Sequence, residues 1–328
     1  MSYLMRSAYN HLSLMNRRVD IQTYLQRPNV SAKTKGKIQL VLQAREFAEK
    51  ELGLSTTDNY TTYVELDGPY VTYVVRAAPV DALESYKWSF PIVGEVPYKG
   101  FSTRTEAVTE ASKFDPQKYD TYVRGVTAYS TLGWFSDPIL SSMMSYSDYD
   151  LVNTIIHETV HATIFIKNQA DFNERLATFV GDLGAQLFFQ KKEGLESNTL
   201  LEVEKINQDT LHFQKFISQQ ICDLEAWYKS NKDKITPEIR RERLDQITKD
   251  FDIKIHSHLK TNRFDSFSKY KLNNAQLLSY KTYMKDLTDF ERAFSKLGKS
   301  FAAFMEFCKK LEKQKNPETY LKSYVSEG

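Results

Sequence analysis

Apolar residues in the first fifty positions recur at three- and four-residue spacing. Leu12, Leu14, Met15, Val19, Ile21 and Leu25 mark one helical region. A second runs from Ser31, placed to cap its start, to Gly53, placed to close it in a left-handed conformation. From Tyr60 the period changes to two. The stretch "YTTYVELDGPYVTYVVRAAPV" sets Tyr, Val and Thr on both sides of Asp67-Gly68, which predicts a β-hairpin. "WSFPIVGEVPYKGF" continues the β region, with Pro91 and Pro97 restricting it to edges or bends. Thr103 to Phe114 predicts a short helix, and "YDTYVRGVTAYSTLG" a return to strand.

Beyond that point the pattern is helical. Tyr149 to Lys167 and Phe172 to Lys191 are helices separated by a polar break at 168–171, and Leu200 to Tyr228 with Pro237 to Lys260 form a charge-rich antiparallel hairpin. Asn273 to Lys315 completes a helical C-terminal half. The expected class is α+β, with a small, mostly antiparallel sheet. One unit over 1–328 is expected, made of N-terminal helices (1–58), an α+β core (59–193), a helical hairpin (194–265) and C-terminal helices (266–328). No fixed-period repeat suggests a solenoid.

The helix beginning at Tyr149 is apolar nearly all round, through Leu151, Val152, Ile155, Ile156, Val160, Ile164 and Phe165, which marks a buried element. Its interior nevertheless carries His157, Glu158 and His161, and burying such groups is costly unless something pairs with them. Residues four apart share a helix face, so both imidazoles can bind one ion. Glu158 is placed to reach a water beside that ion and serve as general base, the HExxH arrangement of zinc peptidases. The competing reading makes both histidines core residues satisfied by backbone carbonyls, with Glu158 paired to an Arg.

A third ligand is needed for a catalytic zinc. The metzincin extension requires Gly and His at positions that hold Ile164 and Lys167, which excludes that class. Glu174, thirteen residues after His161, is the alternative, on a face it shares with Ala177, Thr178, Gly181, Gly184 and Ala185. Small residues let two helix axes approach closely, and each helical glycine costs about 1 kcal/mol relative to Ala, so a packing reason is expected. Glu174 could instead complete a capping box with Asp171. Asp182 lies beside the small stripe, as a solvated residue or an acceptor for a ligand histidine. His11, His212, His256 and His258 read as surface residues.

Composition narrows the classes. Lys+Arg 44 against Asp+Glu 42 gives a net charge of +2 with the signs interleaved, so no nucleic-acid partner is expected. Cys222 and Cys308 have no CxxC or CxH partner, so neither a zinc knuckle nor a disulfide framework is predicted. No run approaches the roughly 18 apolar residues of a membrane span, and the first residues lack a signal-peptide core, so a soluble chain is expected.

At "WSFPIVGEVPYKGF", "TAYSTLGWFSDPIL", "HETVH" and "ADFNERLATFVGDLGA" the sequence resembles a bacterial family described as "putative aminopeptidase", grouped with the gluzincin metallopeptidases. The likeness runs in order from "REFAEKELGL" to "NNAQLLSYKTY". It implies His157, His161 and Glu174 as ligands of one Zn²⁺ per chain and Glu158 as general base. It also implies a periplasmic or exported location, with a lipoprotein-type export signal and lipid anchor in an upstream segment not present here. The chain departs from the family at Ser89 and Glu95, where relatives often carry Cys, and at Ala162, where they often carry Gln.

The expected reaction is hydrolysis of a peptide or protein substrate, with Tyr129, Tyr280 or Tyr283 donating to the tetrahedral oxyanion. A strand from Gly125 to Thr131 could pair with an extended substrate, or be an ordinary core strand. Two rivals stand beside the aminopeptidase. An endopeptidase would share the site, and an inactive helical scaffold would present the charged hairpin to a partner. Oligomeric state and side-chain preference have no signature in the sequence.

Overall fold

The structure, a computed structural model, describes residues 3–90, 94–128, 136–232, 234–283 and 286–326. The elements run α1 (Tyr3–Asn16), β1 (Val19–Asp20), α2 (Ile21–Leu25), α3 (Ala32–Lys50), β2 (Thr62–Val64), β3 (Thr72–Pro79), β4 (Trp88–Phe90) and β5 (Gly94–Val96). They continue with β6 (Lys99–Phe101), α4 (Arg104–Ala111), β7 (Tyr119–Val126), β8 (Ile139–Leu140), α5 (Asp148–Thr163) and α6 (Ala170–Glu193). The helices α7 (Asn198–Asn231), α8 (Pro237–Lys254), α9 (Asn274–Tyr283), α10 (Thr288–Lys296), α11 (Phe301–Glu312) and α12 (Pro317–Ser326) follow.

The chain is α+β with a helical C-terminal half, as its periodicity predicts. Its strands form three small sheets among the described residues rather than one, and β2–β8 is the parallel pairing among otherwise antiparallel ones. Contacts divide the chain into two compact units, each drawn from separated stretches. The first takes Met1–Pro69, Thr127–Leu200 and Lys285–Gly328, and the second Tyr70–Val126 and Leu201–Met284.

The hairpin expected at Asp67-Gly68 does not form. β2 pairs with β1 and β8, whereas β3 pairs with β6 and β7 in the other unit. A two-residue hairpin turn of that type requires positive φ at its glycine, and Gly68 is not among the positive-φ residues. The Asp67 carboxylate instead accepts from Arg17 at 2.7 and 3.0 Å. The N-cap on α3 is as expected, Ser31 Oγ accepting from Thr34 N at 3.1 Å; at the other end the cap is Glu51, and Gly53 takes its left-handed φ of +65° two residues further on.

In the first unit α3, α5 and α6 pack together. Ile38, Val41, Leu151, Val152, Ile155, Ile156, Leu176 and Val180 are fully buried, and each such side chain contributes about 1.5–3 kcal/mol through burial. Ser147 fixes the start of α5, its Oγ accepting from Asp150 N at 3.0 Å while donating to the Asp150 carboxylate at 2.8 Å. Lys37 ties this end to α3, reaching Tyr146 O and Asp148 Oδ1, each at 2.6 Å. The helix ends at Thr163, earlier than its apolar pattern suggests, because Ile164 turns extended at φ −137°. Residues 164–169 form the connection to α6.

In the second unit β3 lies between β6 and β7, with Val75 and Ala77 packed toward Trp88 and Ala107. A larger core joins Ala78 and Leu83 to Phe213, Phe216, Ile217, Leu244, Ile247 and Phe251 of α7 and α8. At its edge Arg240 donates to Asp120 Oδ2 and Tyr228 Oη, while Tyr228 donates to Asn274 Oδ1 at 2.9 Å. Asn274 donates its backbone N–H to Asp120 at 2.7 Å and its side-chain amide to the carbonyls of Pro79, Val80 and Ala82.

Candidate metal centre

His157 and His161 point from the last two turns of α5 to the same place, with their Nε2 atoms 3.2 Å apart. Glu174, near the start of α6, brings Oε1 to 3.2 Å from His161 Nε2 and Oε2 to 3.9 Å from His157 Nε2. These three form the one group found among the described residues that could hold a metal ion, with ligand atoms all within 4.8 Å of one another.

An ion bound tetrahedrally at about 2.1 Å separates its ligand atoms by about 3.4 Å, so the observed spacings fit one. The chemistry of the donors fits as well. A ring nitrogen not carrying a proton and a carboxylate oxygen are both acceptors, and acceptors converge favourably only around a proton or a cation. Exposure rises across the group, from 4% for the His161 side chain through 19% for His157 to 45% for Glu174, so it is deepest at His161 and open at Glu174. His161 Nδ1 is buried with no hydrogen-bond partner among the described residues.

The small stripe on α6 explains how the carboxylate reaches the histidines. A Cβ added at Gly181 would stand 3.0 Å from His157 Cβ and 3.2 Å from its Cα. One added at Gly184 would stand 2.9 Å from side-chain atoms of Ile156 and Leu52. The two helices approach too closely for any other residue at these positions without displacement. The capping-box role for Glu174 is absent: α6 begins at Ala170, its cap Gln169 makes no side-chain cap bond, and Asp171 lies inside the first turn. Asp182 accepts from Tyr149 Oη at 2.7 Å and Gln186 Nε2 at 2.8 Å, and so latches α6 to α5 rather than serving a ligand histidine. Burial pushes its carboxyl above the usual range, against those two hydrogen bonds.

Glu158 follows His157, and its Oε2 is buried. Two phenols that sequence reasoning missed feel its charge. Burial, then Glu158, pushes Tyr60 well up. Burial also raises Tyr146, against its hydrogen bond with Thr127 and with Asp150 and Glu158 adding to the rise. Both are thereby kept as O–H donors. Tyr60 is buried and sits at φ +61°, held by its N–H donating to Asp137 O at 2.6 Å. Tyr146 Oη lies 2.6 Å from Thr127 Oγ1. Neither has a local sequence signal, because Tyr60 comes from a loop remote in sequence and Tyr146 precedes the helix.

Of the other candidates, Tyr129 lies outside the described residues, as does the Tyr283 side chain at the end of α9. Tyr280 belongs to the second unit, where its ring packs against Phe213 and Phe267 at 5.6 and 5.8 Å. The strand expected over Gly125 to Thr131 reaches only Val126 as β7, an edge of its sheet among the described residues, and positions 129–133 lie outside them. His256 meets Asp252 at 3.4 Å and Asp265 at 3.1 Å, and none of His11, His212, His256 or His258 joins the metal group. No described helix is long and apolar enough to cross a membrane.

A family model described as "Putative aminopeptidase" matches residues 2–321. No curated protein and no solved structure matches the chain.

Proposed function

We propose, from the premise that the chain belongs to the "Putative aminopeptidase" family, that it hydrolyses peptide bonds with one zinc ion held by His157, His161 and Glu174. The observation that carries this reading is the convergence of two imidazoles and a carboxylate at spacings of 3.2, 3.2 and 3.9 Å. Two nitrogen ligands and one carboxylate are a donor set that favours zinc.

When bound, zinc lowers the pKa of water toward neutrality and polarises a carbonyl. The remaining work belongs to the chain. Glu158, adjacent to a ligand, takes the proton of the attacking water and returns it to the leaving amine. A phenol O–H stabilises the oxyanion. Tyr129 and Tyr283 are the sequence's candidates for it, and Tyr60 and Tyr146 are phenols whose ionisation Glu158 influences.

The test compares wild type with Glu158→Gln on peptides carrying a free or an acetylated amino terminus. Cleavage of the free peptide alone, lost in the variant, supports an aminopeptidase. Equal cleavage of both, lost in the variant, makes the site that of an endopeptidase. Wild-type protein that binds zinc yet cleaves neither across a varied peptide library would sink the reading.

A further inference from the structure

Glu174 is half exposed, and an exposed glutamate carries considerable rotamer freedom that binding an ion must remove. Its two sequence neighbours are both buried: Asn173 is 3% exposed and Arg175 9%. We propose that Asn173 and Arg175 are positioning residues for the third ligand, and that through Arg175 the C-terminal helices set the affinity of the centre for its metal. This rests on the metal-binding reading above.

Asn173 fixes α6 to the connection that follows α5. Its Oδ1 accepts from Ile166 N at 2.9 Å and its Nδ2 donates to Ile166 O at 2.8 Å, so both edges of the amide are used. Ile166 lies five residues after His161, and the pairing therefore limits how far Glu174 can move from that ligand. The end of α5 is held by Ser55 N donating to Thr163 Oγ1 at 2.9 Å, and the connection itself by Phe165 N donating to Glu312 Oε1 of α11 at 3.3 Å.

Arg175 fixes the other side of Glu174 to helices more than a hundred residues away. Its Nε donates to Asp286 O at 2.8 Å, just before α10. Its NH1 donates to both oxygens of Glu318 on α12, at 3.1 and 2.9 Å, and its guanidinium lies 5.3 Å from the Phe290 ring centroid on α10. Glu318 is also bound by Lys322 at 3.1 Å. Burial raises the Glu318 carboxyl, but these two cations outweigh it and hold the group below the usual carboxylate range. A guanidinium with this many directed bonds has little rotational freedom. The peptide units on either side of Glu174 are thus anchored, one to the α5 side and one to the C-terminal side.

Partners outside the ligand set typically change metal affinity by about 10–100-fold when removed. The experiment uses the full chain and measures zinc affinity by competition with a chromophoric chelator. The Co²⁺-substituted absorption spectrum is recorded alongside, at a temperature where circular dichroism shows each variant folded. Glu318→Gln and Asn173→Asp are expected to weaken zinc binding about 10-fold or more and to alter the cobalt spectrum. Arg175→Lys, which keeps the charge and loses the two-pronged grip, is expected to behave as Glu318→Gln does. Arg240→Met, in the second unit, is expected to leave zinc affinity unchanged. Variants that are folded and merely less heat-stable, with wild-type affinity and spectrum, would overturn the inference and leave the peptidase reading standing. A wild type that binds no zinc would overturn both.

Discussion

Two polar clusters sit on apolar surroundings in this molecule, and they are built on opposite principles. Around Asp120, Arg240, Tyr228 and Asn274, the described bonds match donors to acceptors: the guanidinium meets a carboxylate, the phenol an amide oxygen, and the amide three carbonyls. That network supplies its own partners and reads as structural. Around His157, His161 and Glu174, acceptor-bearing groups are brought together, with a third histidine nitrogen buried and no hydrogen-bond partner for it among the described residues. Such an arrangement leaves an electrostatic demand that a cation would meet, and the glycines of α6 show that the close approach is built into the helix pair. The difference teaches that burial of polar groups alone does not mark a site; the sign of what converges does.

The comparison can be broken in several ways, beginning with the largest effect. Glu158→Gln should lower kcat/KM by about a thousandfold, roughly 4 kcal/mol of activation free energy, with zinc content and melting temperature unchanged. Steady-state kinetics beside elemental analysis checks this. Arg240→Met should destabilise folding by about 1–3 kcal/mol, because the part-buried Asp120 carboxylate loses its ion-pair partner and keeps only the Asn274 N–H. Denaturant unfolding should register that cost, while zinc per folded chain stays the same.

Chelation should act only on the other cluster. If free zinc stands at about a hundred times its Kd, removing it costs wild type about 2.7 kcal/mol, and His161→Ala should show no response to the same chelator. Gly181→Ala is expected to cost about 1–3 kcal/mol through overpacking against His157 and to weaken zinc binding. Its counterpart Gly36→Ala lies on an exposed part of α3 with nothing within 4 Å of the added carbon, and should stabilise by about 0.5–1 kcal/mol.

Much of this centre was legible from local spacing. Two histidines four apart, and an acid heading a stripe of small residues, are statements about helix faces, and helix faces follow from sequence with little help from the rest of the chain. The cap at Ser31 and the left-handed glycine at Gly53 were legible for the same reason. Pairings between distant segments were not. β2 finds its parallel partner in β8 far along the chain, and the Asp-Gly signal between β2 and β3 carries no information about which strand each will choose. Tyr60 depends on a left-handed backbone position fixed by Asp137, and the anchors of Arg175 lie on helices remote in sequence. Each requires the tertiary fold to be known first.

The most direct test is the metal content of purified wild type beside Glu174→Ala, by elemental analysis with no metal added. The account predicts about one zinc per chain in wild type and much less in the variant. Wild-type protein without metal, even after zinc is supplied and the excess washed away, would contradict it and return His157 and His161 to the role of core histidines.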